Sequence, residues 1–157
     1  MEYIVNETAF STKQNFRIYD MHGDVVYNVT GRFARDGGEM HLLDRKGNEQ
    51  AQIQKTHDRL VEVFDIHLSD GKKAQARKRF EWGAQLYDVE SWDGKTMTLT
   101  ADMSGDDCAL HIDKACVMDV EEQHSAWGRR YIIHIPGEEY ALLGLCLLMV
   151  IDHKPNA

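Results

Sequence analysis

The sequence predicts a mainly β fold, a closed antiparallel barrel of about twelve strands that encloses a hydrophobic C-terminal α-helix. Three observations predict it: short segments that alternate apolar and polar residues, a turn signal that recurs along the chain, and a final apolar run of eleven residues. Many antiparallel strands expose pairing edges unless their sheet closes. A helix that is apolar on every side must be surrounded by protein. Together these requirements favour a barrel wrapped around the helix.

The recurring turn signal is an aspartate followed, directly or after two residues, by a glycine. Its four clearest copies end at Gly23, Gly47, Gly71 and Gly94, which are 24, 24 and 23 residues apart. The aspartate side chain bonds the backbone that follows it, and glycine accepts the positive φ of a tight turn. Each repeat is therefore predicted to contain about two strands joined by a hairpin.

The segments between the turns alternate with the period of two that half-buried strands show. Val25, Tyr27 and Val29, for example, share one face of a predicted strand. Counting such runs gives about eleven or twelve strands between about residues 3 and 135. Residues 1–10 and 123–128 lack a clear alternation, so we expect loop or edge structure there.

The apolar run, residues 141–151, is predicted to be a helix because leucine and methionine dominate it and because Glu138 and Glu139 complement the positive end of a helix dipole. We expect this helix over about residues 138–151. It is too short to span a bilayer, which needs roughly 20 apolar residues, so we expect no transmembrane segment. The leucines expected to form the helix core are Leu142, Leu143, Leu145, Leu147 and Leu148.

The composition is that of a single ordinary domain over residues 1–157. Eighteen lysines and arginines stand against 26 aspartates and glutamates, which gives a formal net charge of −8. This balance argues against nucleic-acid binding, because such binding depends on an excess of cations. The N-terminus lacks a signal-peptide pattern and the three cysteines form no CxxC pair. We therefore expect reduced thiols and a cytoplasmic protein, free or peripherally attached to a membrane.

Three segments together resemble the LURP-one-related family. They are Phe16–Gly31 and His41–Ile53, which contain the first two turns, and Tyr131–Glu139 with the apolar run that follows. The resemblance covers nearly the whole chain and implies the Tubby C-terminal-like fold, a twelve-stranded barrel threaded by a hydrophobic helix, which Tubby and the phospholipid scramblases share. Tubby relatives hold phosphoinositide headgroups with basic side chains. The palmitoylated cysteine-rich stretch and the acidic calcium segment of scramblase relatives have no match in this sequence.

A basic cluster is the most distinctive polar feature of the chain. Its five cations fall within eight residues and are Lys72, Lys73, Arg77, Lys78 and Arg79. One interpretation is a site for an anionic ligand such as a lipid headgroup, with Trp82 at a lipid interface, since guanidinium groups bind phosphate bidentately. The other is the solvated outer face of a barrel strand whose charges deter edge pairing. On such a strand, the small Ala74 and Ala76 would face the helix.

Other motifs give no chemical site. The eight histidines include no HExxH, Cys108 and His111 lack a second pair of zinc ligands, and no GxSxG occurs. The carboxylates around Gly105 miss the spacing of an EF-hand and are predicted to form a turn. We therefore expect no catalytic residue, metal or cofactor. The predicted function is a non-enzymatic binding module for an anionic lipid or membrane surface, and the alternative is a protein-interaction or stress-response scaffold.

Overall fold

The computed structural model describes residues 1–8, 15–126 and 128–152. Within these ranges, twelve antiparallel strands form a closed barrel in which each strand pairs with its neighbours in sequence and the first pairs with the last. The strands are β1 (Glu2–Asn6), β2 (Phe16–Tyr19), β3 (Val25–Ala34), β4 (Gly37–Leu43), β5 (Glu49–Asp58), β6 (Val61–Leu68), β7 (Lys73–Arg79), β8 (Ala84–Glu90), β9 (Thr96–Asp102), β10 (Cys108–Ile112), β11 (Ala115–Ser125) and β12 (Gly128–His134). The predicted fold class is confirmed.

The C-terminal helix fills the barrel. A 3₁₀ turn, Glu138–Tyr140, leads into α1, Ala141–Val150. Every residue of α1 except Leu142 is buried, and the same apolar cluster contains the inward-facing residues of the strands. Among the expected core leucines, Leu142 is partly buried and the others are fully buried. In the described residues, no helix is long and apolar enough to cross a membrane.

Close packing between α1 and the wall depends on small residues. Ala74 and Ala76 of β7 are buried on its inward face. A Cβ at Gly144 would lie 2.9 Å from Cδ1 of Ile135 and 3.0 Å from the sulfur of Met118. These distances are below ordinary van der Waals contact, so glycine lets the helix approach the wall at this point.

The two ends of the barrel differ. At the end where α1 begins, which we call the turn end, the β2–β3, β4–β5, β6–β7 and β8–β9 connections share one turn geometry. In each, the glycine N–H donates to the carbonyl three residues earlier, as from Gly23 to Asp20 (3.1 Å) and from Gly94 to Ser91 (3.1 Å). The recurring signal therefore marks one hairpin geometry, as its spacing predicts. We call the opposite end, where α1 finishes, the loop end.

The expectation of loop or edge structure is wrong for residues 2–6 and 123–125, which are paired strands of the closed barrel. β1 pairs with β12 over five residues, from Glu2 with His134 to Asn6 with Arg130, and so closes the barrel. β11 continues through residues 123–125 to pair with β12. Tyr3, Ile4 and Val5 are all buried, so burial on both faces of β1 hides the alternation. Residues 9, 10 and 127 lie outside the described part of the chain.

Candidate functional site

The basic cluster is divided by the length of β7. Lys72 and Lys73 lie at the turn end, whereas Arg77, Lys78 and Arg79 lie towards the loop end. Because a strand rises about 3.3 Å per residue, Lys73 and Arg79 are roughly 20 Å apart. The five cations are therefore two separate groups and cannot hold one headgroup together.

Most of these cations already have carboxylate partners. Arg77 Nη2 lies 2.8 Å from Asp58 Oδ2, and Arg79 Nη2 lies 3.6 Å from Asp88 Oδ1. Lys72 Nζ lies 3.4 Å from Asp70 Oδ2. Exposed ion pairs of this kind contribute only about 0–1 kcal/mol, so an incoming anion can displace them at small cost.

Lys78 has a different environment, because it faces the mouth of the barrel. Its Nζ lies 3.2 Å from Asp152 Oδ2 and 3.8 Å from Glu62 Oε2, and it stands 5.9 Å above the ring of Tyr87. A cation beside the last turn of a helix also complements the negative end of the helix dipole. Lys78 is therefore engaged in holding the end of α1.

Gln85 completes this attachment from inside the barrel. Its Nε2 donates to the carbonyls of Asp152 (2.7 Å) and Asp102 (3.1 Å), while its Oε1 accepts from the Asp152 N–H (2.9 Å) and the Tyr87 hydroxyl (3.2 Å). Burial raises the pKa of Tyr87, so its hydroxyl keeps the proton that it donates. We call Lys78, Gln85, Tyr87 and Asp152 the helix-end cluster.

An apolar rim surrounds this cluster at the loop end. It consists of Leu60, Phe80, Trp82 and Met103, which are 98%, 77%, 84% and 46% exposed. Phe80 and Trp82 pack edge to face with ring centroids 5.3 Å apart. Large apolar side chains exposed together on several loops are typical of an interaction surface.

A cleft of about 610 Å³ opens behind the rim. Its lining combines the rim with Arg35 and Arg79 from neighbouring hairpins and with the carboxylates of Glu62 and Glu81, and it reaches Lys78, Gln85 and Asp152 of the helix-end cluster. Arg35 is exposed and has no ion pair with any described residue. The arrangement can therefore bind a molecule that has both an apolar part and a negative charge.

The sequence profile of the LURP-one-related family matches residues 1–152. This chain belongs to the LURP-one-related family. It is similar to the uncharacterized protein YxjI of Bacillus subtilis strain 168, with 22% identity over 152 residues that cover 97% of this chain and 92% of that protein. The X-ray structure of a protein from Arabidopsis thaliana matches with a TM-score of 0.57 and 13% identity over 95% of this chain and 88% of that one.

These comparisons confirm the resemblance and the fold of this LURP-one-related protein. The family is of unknown function and the Bacillus relative is uncharacterized, and a shared fold does not determine a function. Sequence reasoning pointed to Trp82 and the loop-end half of the basic cluster. It missed Leu60, Phe80 and Met103 as partners, because isolated apolar residues in loops give no periodic signal.

The acidic segment around Gly105 forms a turn, as its sequence predicts. Asp102 Oδ1 accepts from the N–H groups of Gly105 (2.8 Å) and Asp107 (3.4 Å), which makes the acidic segment a turn. Cys146 is buried in α1, and burial raises the pKa of its thiol. Within the described ranges, no three histidine, cysteine or acidic side chains are grouped so that they could hold a metal ion.

Proposed function

We propose that this LURP-one-related protein is a non-enzymatic binding module that docks on an anionic, cytoplasm-facing membrane surface through its loop end. The observation that carries the proposal is the apolar rim, in which Leu60, Phe80 and Trp82 project from two adjacent hairpins. Tryptophan favours the boundary between lipid and water, since its ring is apolar and its N–H is polar. Each large apolar side chain that enters the membrane contributes about 1.5–3 kcal/mol.

Arginines beside the rim give the proposed docking its charge preference. Arg35 and Arg59 are exposed in the β3–β4 and β5–β6 loops, and Arg79 ends β7 just before Phe80. A basic residue close to an anionic membrane contributes about 1 kcal/mol. Because the whole chain carries a charge of −8, an anionic surface repels most orientations of the protein. The orientation that turns these arginines and the rim towards the lipid is favoured.

The absence of catalysis is also part of the proposal. Among the described residues that line the cleft there is no serine, threonine or cysteine that could act as a nucleophile. His57, which also lines the cleft, has no hydrogen-bonded carboxylate among the described residues that would orient it as a base. These features support binding rather than chemistry at the cleft.

Vesicle co-sedimentation tests the proposal. We expect binding to phosphatidylcholine vesicles that contain phosphatidylglycerol, weaker binding at about 0.5 M salt, and little binding to phosphatidylcholine alone. The double variant Leu60→Ser/Trp82→Ser should bind at least roughly tenfold more weakly, because two inserted side chains are lost. Arg35→Gln/Arg79→Gln should bind several-fold more weakly.

The matched control lies at the other end of the barrel, where β7 begins. Lys72→Gln/Lys73→Gln removes the same charge as Arg35→Gln/Arg79→Gln but should leave vesicle binding unchanged. Absence of wild-type binding to anionic vesicles at low salt would rule the proposal out. So would undiminished binding by Leu60→Ser/Trp82→Ser.

A protein-interaction or stress-response scaffold is the second candidate. It is favoured by the carboxylates that pair with Arg77 and Arg79, because these charges weaken the attraction of an anionic membrane. In that case, the rim would dock on an apolar patch of another protein. Affinity capture from the native host with the wild type and with Leu60→Ser/Trp82→Ser would distinguish the two, provided that neither protein binds vesicles.

A further inference from the structure

We infer that the cleft holds one anionic lipid molecule, with its headgroup on Arg35 and Arg79 and its acyl chain against the apolar rim. This inference rests on the proposed membrane docking. It adds that one individual lipid molecule binds in the cleft, in addition to the contact between the rim and the bilayer. The proposed ligands are lipids with a negatively charged headgroup.

The size and lining of the cleft suit such a ligand. Its volume of about 610 Å³ lies within the roughly 300–1,000 Å³ of clefts that bury most of a small ligand. Leu60, Phe80, Trp82 and Met103 supply apolar surface, and the cleft also contains the backbone stretch at Gly83 and the small side chain of Ala84. An acyl chain that lies on these residues removes from water Leu60, Phe80 and Trp82, the three most exposed large apolar side chains in the described part of the chain.

Arg35 and Arg79 are proposed to bind the headgroup because neither is held by a close ion pair. Arg35 has no ion pair with a described residue, and the Arg79 contact with Asp88 is long at 3.6 Å and exposed. Both side chains can therefore turn towards a headgroup, and a guanidinium group binds a phosphate through two parallel hydrogen bonds. Lys78, in contrast, is held between Asp152 and Glu62 and keeps its role at the end of α1.

A small polar anion is a poorer occupant than a lipid. Inorganic phosphate could contact the same two arginines, but it would leave the rim exposed to water. The combination of two available guanidinium groups with adjoining apolar residues therefore favours an amphiphile. The same phosphate chemistry occurs in both ligands, so an experiment has to compare them directly.

The experiment uses lipids as monomers. The intact protein is titrated by calorimetry with dihexanoylphosphatidic acid below its critical micelle concentration, with dihexanoylphosphatidylcholine and inorganic phosphate as comparison ligands. We expect saturable binding of one phosphatidic acid per chain, and at least roughly tenfold weaker binding of either comparison ligand. A wild-type protein without saturable binding of the monomeric acid would overturn the inference.

A variant that fills the cleft distinguishes lipid binding inside the cleft from lipid binding on the rim. Ala84 lines the cleft and is half-buried, so Ala84→Trp should weaken binding of the monomeric acid at least roughly tenfold without removing any rim residue. Ala115→Trp, at an exposed position near the turn end, is the matched control and should bind like the wild type. Unchanged affinity in Ala84→Trp would also overturn the inference, and thermal unfolding of each variant verifies that it is folded.

The two proposals fail in distinguishable ways. If vesicles bind but monomeric lipid does not, the cleft inference is wrong and membrane docking stands. If wild-type protein ignores anionic vesicles, membrane docking is wrong whatever the calorimetry gives.

Discussion

At the turn end of the barrel, four hairpins close with one shared geometry. Among the described loops at the opposite end, the β9–β10 loop has the same type of glycine hydrogen bond (Gly105 to Asp102, 3.1 Å), but the loops differ in length and expose Leu60, Phe80 and Trp82. Among the described residues at the turn end, only Met1 and Met21 expose large apolar side chains, each about half. Local hydrogen bonds explain the regular turns without reference to any ligand. The exposed apolar rim has no such explanation in folding, and this difference is the reason for proposing that the loop end carries function.

The helix connects the two ends and is attached at both. At the turn end, the Tyr140 hydroxyl donates to Asp93 Oδ2 at 2.9 Å, and Tyr140 packs near Trp92. At the loop end, Gln85 binds both the N–H and the carbonyl of Asp152. Stability should therefore depend on α1 and its attachments, while lipid binding should depend on the rim.

The largest effect is expected from a charge in the middle of α1. Leu147 is fully buried, so Leu147→Asp should prevent folding, because an unpaired carboxylate in an apolar interior costs an amount comparable to the total stability of about 5–15 kcal/mol. Truncation before Glu138 should have the same result. Leu60→Asp, which adds the same charge at a fully exposed leucine, should unfold like the wild type. Circular dichroism melts provide the measurement, and a cooperative transition in Leu147→Asp would show that α1 is not the core.

A smaller effect is expected from the attachment at the loop end. Gln85→Leu should lower the free energy of unfolding by about 2–4 kcal/mol, because it removes the hydrogen bonds to the Asp152 backbone and leaves the buried Tyr87 hydroxyl with only the longer contact to the Val150 carbonyl (3.4 Å). Gln75→Leu removes a partly buried outer amide that donates to Asp65, and it should cost less than about 1 kcal/mol. Urea unfolding of both variants measures the difference. Equal losses would mean that the helix-end cluster is no more important than a surface contact.

The smallest effect on stability is expected from Asp93 at the turn end, and it depends on pH. Hydrogen bonds from the Ser91 hydroxyl, the Lys95 N–H and the Tyr140 hydroxyl lower the pKa of Asp93 to about 2 from its ordinary value of 3.8. Because the folded pKa is the lower one, the charged carboxylate stabilises the fold above about pH 4, and this contribution is lost as the pH falls towards 2.

The stability difference between the wild type and Asp93→Asn should therefore be constant near neutral pH and shrink as the pH falls from about 4 to 2. Tyr140→Phe, which removes one of the donors, should reduce the same pH-dependent contribution in part. Urea unfolding at a series of pH values measures both. A wild-type advantage that is the same at about pH 6 and pH 2.5 would contradict the assignment.

The sequence predicted the parts of the fold that depend on local chemistry. Gly23, Gly47, Gly71 and Gly94 all have positive φ in the turns predicted for them, and the apolar run forms the helix. The pairing of β1 with β12 was missed because the three central residues of β1 are all buried and β12 lies about 130 residues away along the chain, so neither local periodicity nor spacing reveals the pairing.

The candidate site was predicted only in part. Charge along the sequence indicated Arg77, Lys78 and Arg79, but strand length separates them from Lys72 and Lys73, and Asp152 engages Lys78 from the far end of the chain. Leu60 gave no signal because a single leucine in a polar hairpin is compatible with either burial or exposure. The contacts that define the cleft arise between hairpins, and no local pattern encodes them.

The two ends can be compared most directly through their tryptophans. Trp82 belongs to the rim, whereas Trp92 packs near Tyr140 at the turn end. Trp92→Phe/Trp127→Phe keeps only Trp82, and Trp82→Phe/Trp127→Phe keeps only Trp92. Each variant is mixed with vesicles of phosphatidylglycerol and phosphatidylcholine, and the acyl chains of the phosphatidylcholine carry bromine, which quenches tryptophan fluorescence. We expect strong quenching of Trp82 fluorescence and none of Trp92. Equal quenching of both, or no quenching of Trp82, would contradict membrane docking through the loop end.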